Sequence, residues 1–343
     1  MTDTGSLNLA WSQALVAGFV CAGVTDAVIS PGSRSTPLAL ALLRHPGLRS
    51  HIAIDERSAA FFGLGIAKAQ QRPVLLLATS GTAPANWLPA IIEASQAGIP
   101  LIAVSADRPP ELHGCGANQT VPQTVMFAPY VRASHALGAP YDGFDPGYLH
   151  RLAAQVVEQA SWPHPGPVHI NQAFREPLLP AGDIPPAATG DPIRSHRPVA
   201  EPDHQTLSQL ANHLSGRPGI IVCGEMPIAE KRNAALVELA STLGCPILAE
   251  PLSGLRFGSH DRTRLCVAYN RWLEPCGADD MPMPEWVIRF GAFPVTRNLQ
   301  NYVSGTAALQ IGVDPWPRWI DPMHKLTHLL RTEPELFCTA LLR

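Results

Sequence analysis

The stretch Ala27-Val28-Ile29-Ser30-Pro31-Gly32-Ser33-Arg34-Ser35-Thr36-Pro37 passes from an apolar run into a polar turn and then into a segment of helical length. A second run, His51-Ile52-Ala53-Ile54, empties the same way into Asp55-Glu56-Arg57. Both read as short buried strands, each followed by a segment of helical periodicity. In an open α/β sheet the ligand crevice lies just beyond the carboxyl ends of the strands. This sequence sets charged and hydroxyl residues there repeatedly: Ser33 and Arg34, then Glu56, then Ser80-Gly81-Thr82, then Asp107-Arg108.

Outward from that stretch, the periodicity predicts helices over 7–22, 36–44, 58–70, 87–96 and 148–161, with strands over 26–30, 50–54, 74–78, 100–105 and 167–171. Most of these strands are apolar throughout, which is the pattern of parallel strands covered on both faces. Gly63 and Gly65 inside a helix are read as marks of close approach by another backbone or helix. The expectation is a doubly wound α/β domain over 1–178. Pro180, Pro185, Pro186, Pro192, Pro198 and Pro202 then rule out a helix interior or central strand, so 179–202 reads as an extended linker, with Gly182-Asp183 and Gly190-Asp191 as solvated turns. A second α/β domain is expected over 203–343. Its helices fall at 204–214 and 228–243, its strands at 219–223, 246–249, 286–290 and 307–311, and its terminal helix at 323–331; the pattern between 261 and 284 is too irregular to assign. The fold class is thus α/β, with two doubly wound, mainly parallel-sheet domains.

The chain has 343 residues, 46% hydrophobic and 15% charged, which is ample for two packed cores. A formal net charge of -3 argues against a general nucleic-acid or acidic-membrane surface. Seven cysteines, odd in number, scattered and without CxxC spacing, suit a reduced interior better than a metal site or a disulfide framework. No apolar run reaches membrane-spanning length and the first residues carry no leader pattern, so the expectation is a cytoplasmic chain with no membrane partner.

Glu56 stands at a strand end where apolar neighbours could desolvate it, and burial suits a carboxylate to exchanging a strong hydrogen bond or a proton with a ring nitrogen. The competing reading is a helix-start carboxylate at the positive end of the dipole, paired with Arg57. Ser33, Arg34, Arg108, Asn118 and Gln119 gather two guanidiniums with hydroxyl and amide donors, a plausible clamp for a polycarboxylate. Ordinary ion pairing of Arg108 with Asp107 or Glu111 is the alternative. Thr79-Ser80-Gly81-Thr82 has the composition of a phosphate cradle but lacks the P-loop Lys and a full GxGxxG.

Four motifs together, Ile29 to Leu38, Asp55-Glu56-Arg57, Ala78 to Ala83, and Ala106 to Leu112 leading into Gly116-Ala117-Asn118-Gln119, closely resemble the thiamine diphosphate-dependent synthases of menaquinone biosynthesis, the 2-succinyl-5-enolpyruvyl-6-hydroxy-3-cyclohexene-1-carboxylate synthases. The resemblance extends through Arg289-Phe290-Gly291 and Pro294 to Arg297 into the second domain. It implies thiamine diphosphate and Mg²⁺ as cofactors, with Pro31, Gly81 and Asn86 near the cofactor. Glu56 would contact the aminopyrimidine nitrogen and help activate the thiazolium carbon, the cofactor acting as electron sink for decarboxylating 2-oxoglutarate. The four-carbon unit would then add to isochorismate, whose carboxylates Ser33, Arg34, Arg108, Asn118, Gln119 and Arg297 would meet. Arg297 falls where the family often has Lys, and Asn298 where some members carry a second cation.

The family's later diphosphate-binding domain, with its Gly-Asp turn and metal-binding Asn, finds no counterpart segment in this sequence. The cofactors would then be held mainly by a domain that is missing here, and the chain would be a partial form not fully competent alone. A homodimer or homotetramer is implied, since the family builds its sites between subunits. Two alternatives remain: a non-catalytic dimeric carboxylate-binding or assembly module derived from the enzyme, and another thiamine enzyme such as an acetolactate synthase or a 2-oxoacid decarboxylase. The double-arginine signature disfavours the latter.

Overall fold

The computed structural model describes residues 3–182, 193, 195–274 and 283–343. Contacts divide the chain into two units, Met1–His196 and Arg197–Arg343. The division falls inside the Pro-rich stretch 179–202. Residues 183–192 and 194 of that stretch lie outside the described residues, and with them Asp183, Gly190 and Asp191 of the two Gly-Asp turns.

The first unit runs α1 (Thr4–Cys21), β1 (Asp26–Ile29), α2 (Thr36–Arg44), β2 (Arg49–Ile52), α3 (Glu56–Gln70), β3 (Val74–Ala78), α4 (Leu88–Ala97), β4 (Leu101–Asp107), β5 (Ser134–Leu137), α5 (Pro146–Ser161) and β6 (Pro167–Ala173). Its six strands form one sheet in the order β2-β1-β3-β4-β6-β5, every pairing parallel. Side chains alternate across a strand. Accordingly Ala27, Ile29, Leu75, Leu77, Ile102 and Val104 pack with Trp11, Leu15 and Phe19 of α1 and Leu149 and Val156 of α5. Val28, Leu76, Leu101 and Ala103 face the other way, toward Ala60 of α3 and Ile91 and Ala94 of α4. Both faces are therefore dry, which is why the strands read as unbroken apolar runs.

The second opening run departs from the expectation of burial. It ends at Ile52, occupies the sheet edge, and leaves Ile52 and Ile54 55% and 86% exposed. An apolar run reports what a strand could bury, and an edge position gives it only one flanking strand. The following helix starts two residues earlier than its periodicity suggests, because Asp55 caps it by accepting from the Ser58 N–H at 2.8 Å. Of the two glycines in α3, Gly63 is closely approached, though by a side chain of β3 and not by a backbone or helix: a Cβ there would lie 2.6 Å from Leu76 Cδ2. Gly65 faces open space, so it marks no contact. β5 had no counterpart in the sequence reading; only one of its four residues is buried, so it lacks the apolar signature of the others.

The second unit runs α6 (His204–Leu214), β7 (Gly219–Cys223), α7 (Glu230–Leu243), β8 (Ile247–Ala249), β9 (Leu265–Cys266), α8 (Tyr269–Trp272), β10 (Trp286–Phe290), α9 (Arg297–Gly305), β11 (Leu309–Val313), β12 (His328–Leu330) and α10 (Pro334–Leu341). Its parallel sheet has the order β12-β11-β10-β7-β8-β9. The expected terminal helix over 323–331 is not formed. β12 lies there instead, paired with β11 from Ile311↔His328 to Val313↔Leu330, and the last helix begins at Pro334. The open edge of β11 supplies ladder partners for that segment, while Pro suits the first turn of a helix because its missing N–H would be unpaired there anyway. The unassigned region 261–284 contains β9 and α8, and its residues 275–282 lie outside the described set. Among the described residues, no helix is long and apolar enough to cross a membrane.

Candidate functional site

In the first unit β1 is the turning point of the winding: the chain goes from β1 to β2 on one side and then returns to β3 on the other. The loops that follow β1 and β3 diverge at this point, and such a crevice is where open α/β sheets bind ligands. Pro31 to Arg34 follow β1, and Thr79 to Gly81 follow β3. The two loops touch: a Cβ on Gly32 would lie 2.4 Å from Thr79 Cβ, so only glycine lets the β1 loop sit against the Thr79 side chain. Gly81 takes a positive φ of 78°, and a Cβ there would come within 2.6 Å of the Gln119 Cγ.

Around this crevice the structure brings together most of the expected residues. Arg108, one residue beyond β4, donates through Nη1 to Ser80 Oγ and, at 3.0 Å, to the Gln119 carbonyl. Gln119 returns a bond from Nε2 to the Ser80 carbonyl at 2.8 Å. Its φ of 56° places it in the left-handed region, where its carbonyl and its side chain both turn inward. Arg34 is buried and reaches the far end of β6, donating to the Phe174 carbonyl at 3.1 Å and to Glu176 Oε1 at 2.7 Å. Burial first, and then the neighbouring Arg34 charge, push the Arg108 guanidinium below its ordinary pKa, while Asp107 and Glu176 act in the opposite sense. Two guanidiniums therefore stand close together at the site. Of the alternative pairings for Arg108, the one with Glu111 is not formed, since Glu111 pairs instead with Arg175 at 2.6 and 3.0 Å, while Asp107 still acts on the Arg108 charge.

The other expected residues of the first unit lie at the same edge but are less engaged. Ser33 and Pro31 are exposed on the β1 loop. Asn118 is exposed beside Gln119, and the Asn86 side chain folds back on its own turn, donating to the Thr82 carbonyl at 3.1 Å. Glu56 is the first residue of α3, half-buried, and engages no hydrogen bond or ion pair among the described residues. Its place in the first helical turn meets the position given by the helix-start reading, but the pairing with Arg57 is not formed. The half-buried Glu56 carboxylate stands unengaged at the ligand edge of the sheet. Arg297 opens α9 in the second unit and is exposed.

Beneath the loops lies a buried polar chain that the sequence did not reveal. Gln123, 1% exposed, accepts from the Gly81 N–H at 2.7 Å and donates to the Ala106 carbonyl at 3.1 Å and to Asn171 Oδ1 at 2.8 Å. Asn171 donates in turn to Asp107 Oδ2 at 2.8 Å, and Asp107 Oδ1 accepts from the Arg108 N–H at 2.7 Å. Ser105 joins Asn171 to His169, at 2.9 and 2.8 Å. Burial drives the His169 pKa down from 6.5 to about 4, so the ring is neutral at physiological pH. This chain fixes both the Gly81 turn and the backbone of Arg108 from below. Asn171 and His169 did fall inside a predicted strand of otherwise apolar residues, and polar residues in a doubly covered strand are the one signal that could have flagged them.

Residues 10–127, which contain all of the loops just described except β6 and its extension, match the family model for the thiamine pyrophosphate enzyme N-terminal TPP binding domain. Over 342 residues, 100% of this chain, it is 66% identical to a 2-succinyl-5-enolpyruvyl-6-hydroxy-3-cyclohexene-1-carboxylate synthase of Dechloromonas aromatica, and covers 64% of that protein. The chain is similar to these synthases along its whole length. A synthase of the same name from Bacillus velezensis is 42% identical over 94% of the chain and 57% of its own length. One from Haloquadratum walsbyi is 38% identical over 95% of the chain and 55% of its own length. The chain thus spans about three-fifths of the length of the curated relatives it matches. The crevice residues between Pro31 and Gln119 sit in the portion that matches the TPP binding domain model.

Proposed function

We propose that this chain forms the pyrimidine-binding and central parts of a thiamine diphosphate-dependent synthase that joins decarboxylated 2-oxoglutarate to isochorismate in menaquinone biosynthesis. The observation that carries the reading is the meeting of Arg34, Arg108, Gln119 and the Gly32 and Gly81 turns at the β1–β3 crevice, with Glu56 unengaged at the start of α3. Thiamine diphosphate, when bound, supplies the electron sink for decarboxylation. Glu56 would hold a proton at the cofactor's pyrimidine nitrogen. The glycines at 32 and 81 would let Thr79 and Gln119 pack directly against the two turns and so shape the cofactor's pocket. Arg34 and Arg108 would orient the carboxylates of isochorismate, helped by Ser33, Asn118 and Gln119, because a guanidinium fork matches a carboxylate bidentately. Arg297 would add a cation from the second unit.

Among the described residues no group of three or more His, Cys, Asp or Glu could hold a metal ion. Mg²⁺ would come with the diphosphate of the cofactor. A homodimer or homotetramer in the cytoplasm completes the proposal. The test is calorimetric titration of the chain with isochorismate, and separately with thiamine diphosphate plus Mg²⁺, for the parent and for Arg108→Ala. Removing a charge-assisted pair should cost about tenfold in isochorismate affinity. Equal affinity in the two proteins would end the carboxylate-clamp reading.

A further inference from the structure

The arginine pair already holds a carboxylate. Arg34 Nη2 donates to Glu176 Oε1 at 2.7 Å, and Glu176 acts on the charge of Arg108 as well. Glu176 does not reach this place by the chance drift of a surface side chain. Asn8, 1% exposed on α1, donates through one amide nitrogen to the Arg175 carbonyl at 2.8 Å and the Pro177 carbonyl at 3.1 Å, pinning the backbone on both sides of Glu176. The adjacent Arg175 is held apart from the pair by its two bonds to Glu111. The result is an anchored acid whose own side chain is 70% exposed, laid against a guanidinium only 9% exposed.

We propose that Glu176 is a resident counter-anion of Arg34 and Arg108, and that an incoming substrate carboxylate must share or displace it, which makes Glu176 a determinant of anion affinity and selectivity. This rests on the carboxylate-clamp reading above. With Asp107, which acts on Arg108 from beneath, Glu176 offsets the charge of two adjacent cations. It also raises a threshold against weak monoanions, since a ligand must offer more than the internal carboxylate does to take its place. A dicarboxylate able to bridge both guanidiniums meets that requirement; a monocarboxylate or chloride does not.

The experiment compares the full chain with Glu176→Gln and Arg108→Ala, using isochorismate without thiamine diphosphate so that binding reads without turnover. Glu176→Gln should bind isochorismate about fivefold more tightly, the scale of one largely exposed ion pair. Its affinity for acetate should rise at least as much. A purely structural Glu176 predicts the opposite, a loss of affinity. Loss of binding in Arg108→Ala with no gain in Glu176→Gln overturns this inference alone, while unchanged binding in Arg108→Ala overturns the clamp reading. A second measurement needs no ligand: modification of Arg34 by phenylglyoxal, followed by peptide mass spectrometry, should be several times faster in Glu176→Gln. Equal modification rates would refute the counter-anion role even if isochorismate bound neither protein.

Discussion

Replacing Gln123 with Leu removes the amide that ties the Gly81 turn to the strands beneath it, at nearly constant side-chain volume. Three hydrogen bonds disappear, to the Gly81 N–H, the Ala106 carbonyl and Asn171 Oδ1. Asn171 Oδ1 keeps its bond from Ser105, but the Gly81 N–H is left in a buried position without its partner. At about 1 kcal/mol for each net bond, the substitution should destabilise the first unit by about 3 kcal/mol. Gln123→Glu offers a sharper contrast. Its carboxylate could still accept from Gly81 but would face the Ala106 carbonyl and Asn171 Oδ1 with no proton to donate, so it should cost at least as much at neutral pH and recover on acidification as it protonates. The assay is urea unfolding of each variant, with hydrogen exchange of the peptide containing Gly81 read by mass spectrometry. A loss below about 1 kcal/mol in Gln123→Leu, together with unchanged protection of Gly81, would refute the claim that the buried chain holds the turn.

Other consequences follow from the same region. His169 is neutral when folded because its pKa falls from 6.5 to about 4, so its contribution to stability is complete above pH 6.5 and is lost as the pH falls toward 4. That window should remove roughly 3 kcal/mol in the parent, and His169→Gln should flatten this part of the pH–stability profile; an unchanged slope would show that the ring does not titrate this way. Gly81→Ala should destabilise the first unit by about 1–3 kcal/mol, because the new Cβ meets Gln119 at a φ that L-residues disfavour; thermal melting reads it, and a neutral result would mean that the turn relaxes freely. Asp55→Ala should cost about 1 kcal/mol through loss of the α3 cap, whereas Asp55→Asn should retain most of it, as denaturant midpoints would report.

Much of the fold was legible along the chain because its signals are local. The helices Thr36–Arg44 and His204–Leu214 and the strands Val74–Ala78, Gly219–Cys223 and Trp286–Phe290 coincide with the periodicity that predicts them. The motifs at Ser33, Arg34, Glu56, Gly81, Arg108 and Gln119 lie in the loops after strands, where a parallel sheet presents its ligand edge. The failures were non-local. Ile52 and Ile54 are apolar yet exposed, and only the strand order shows that β2 is an edge. The stretch around His328 becomes a strand because β11 offers it a ladder. The sequence alone determined which residue types crowd the carboxyl ends of the strands, since alternation and turn chemistry are written in neighbouring residues. Only the tertiary structure decided that Arg34 spans to Glu176, 142 positions away, and that Gln123 supports Gly81, because those bonds join loops made adjacent by strand order and not by separation along the chain.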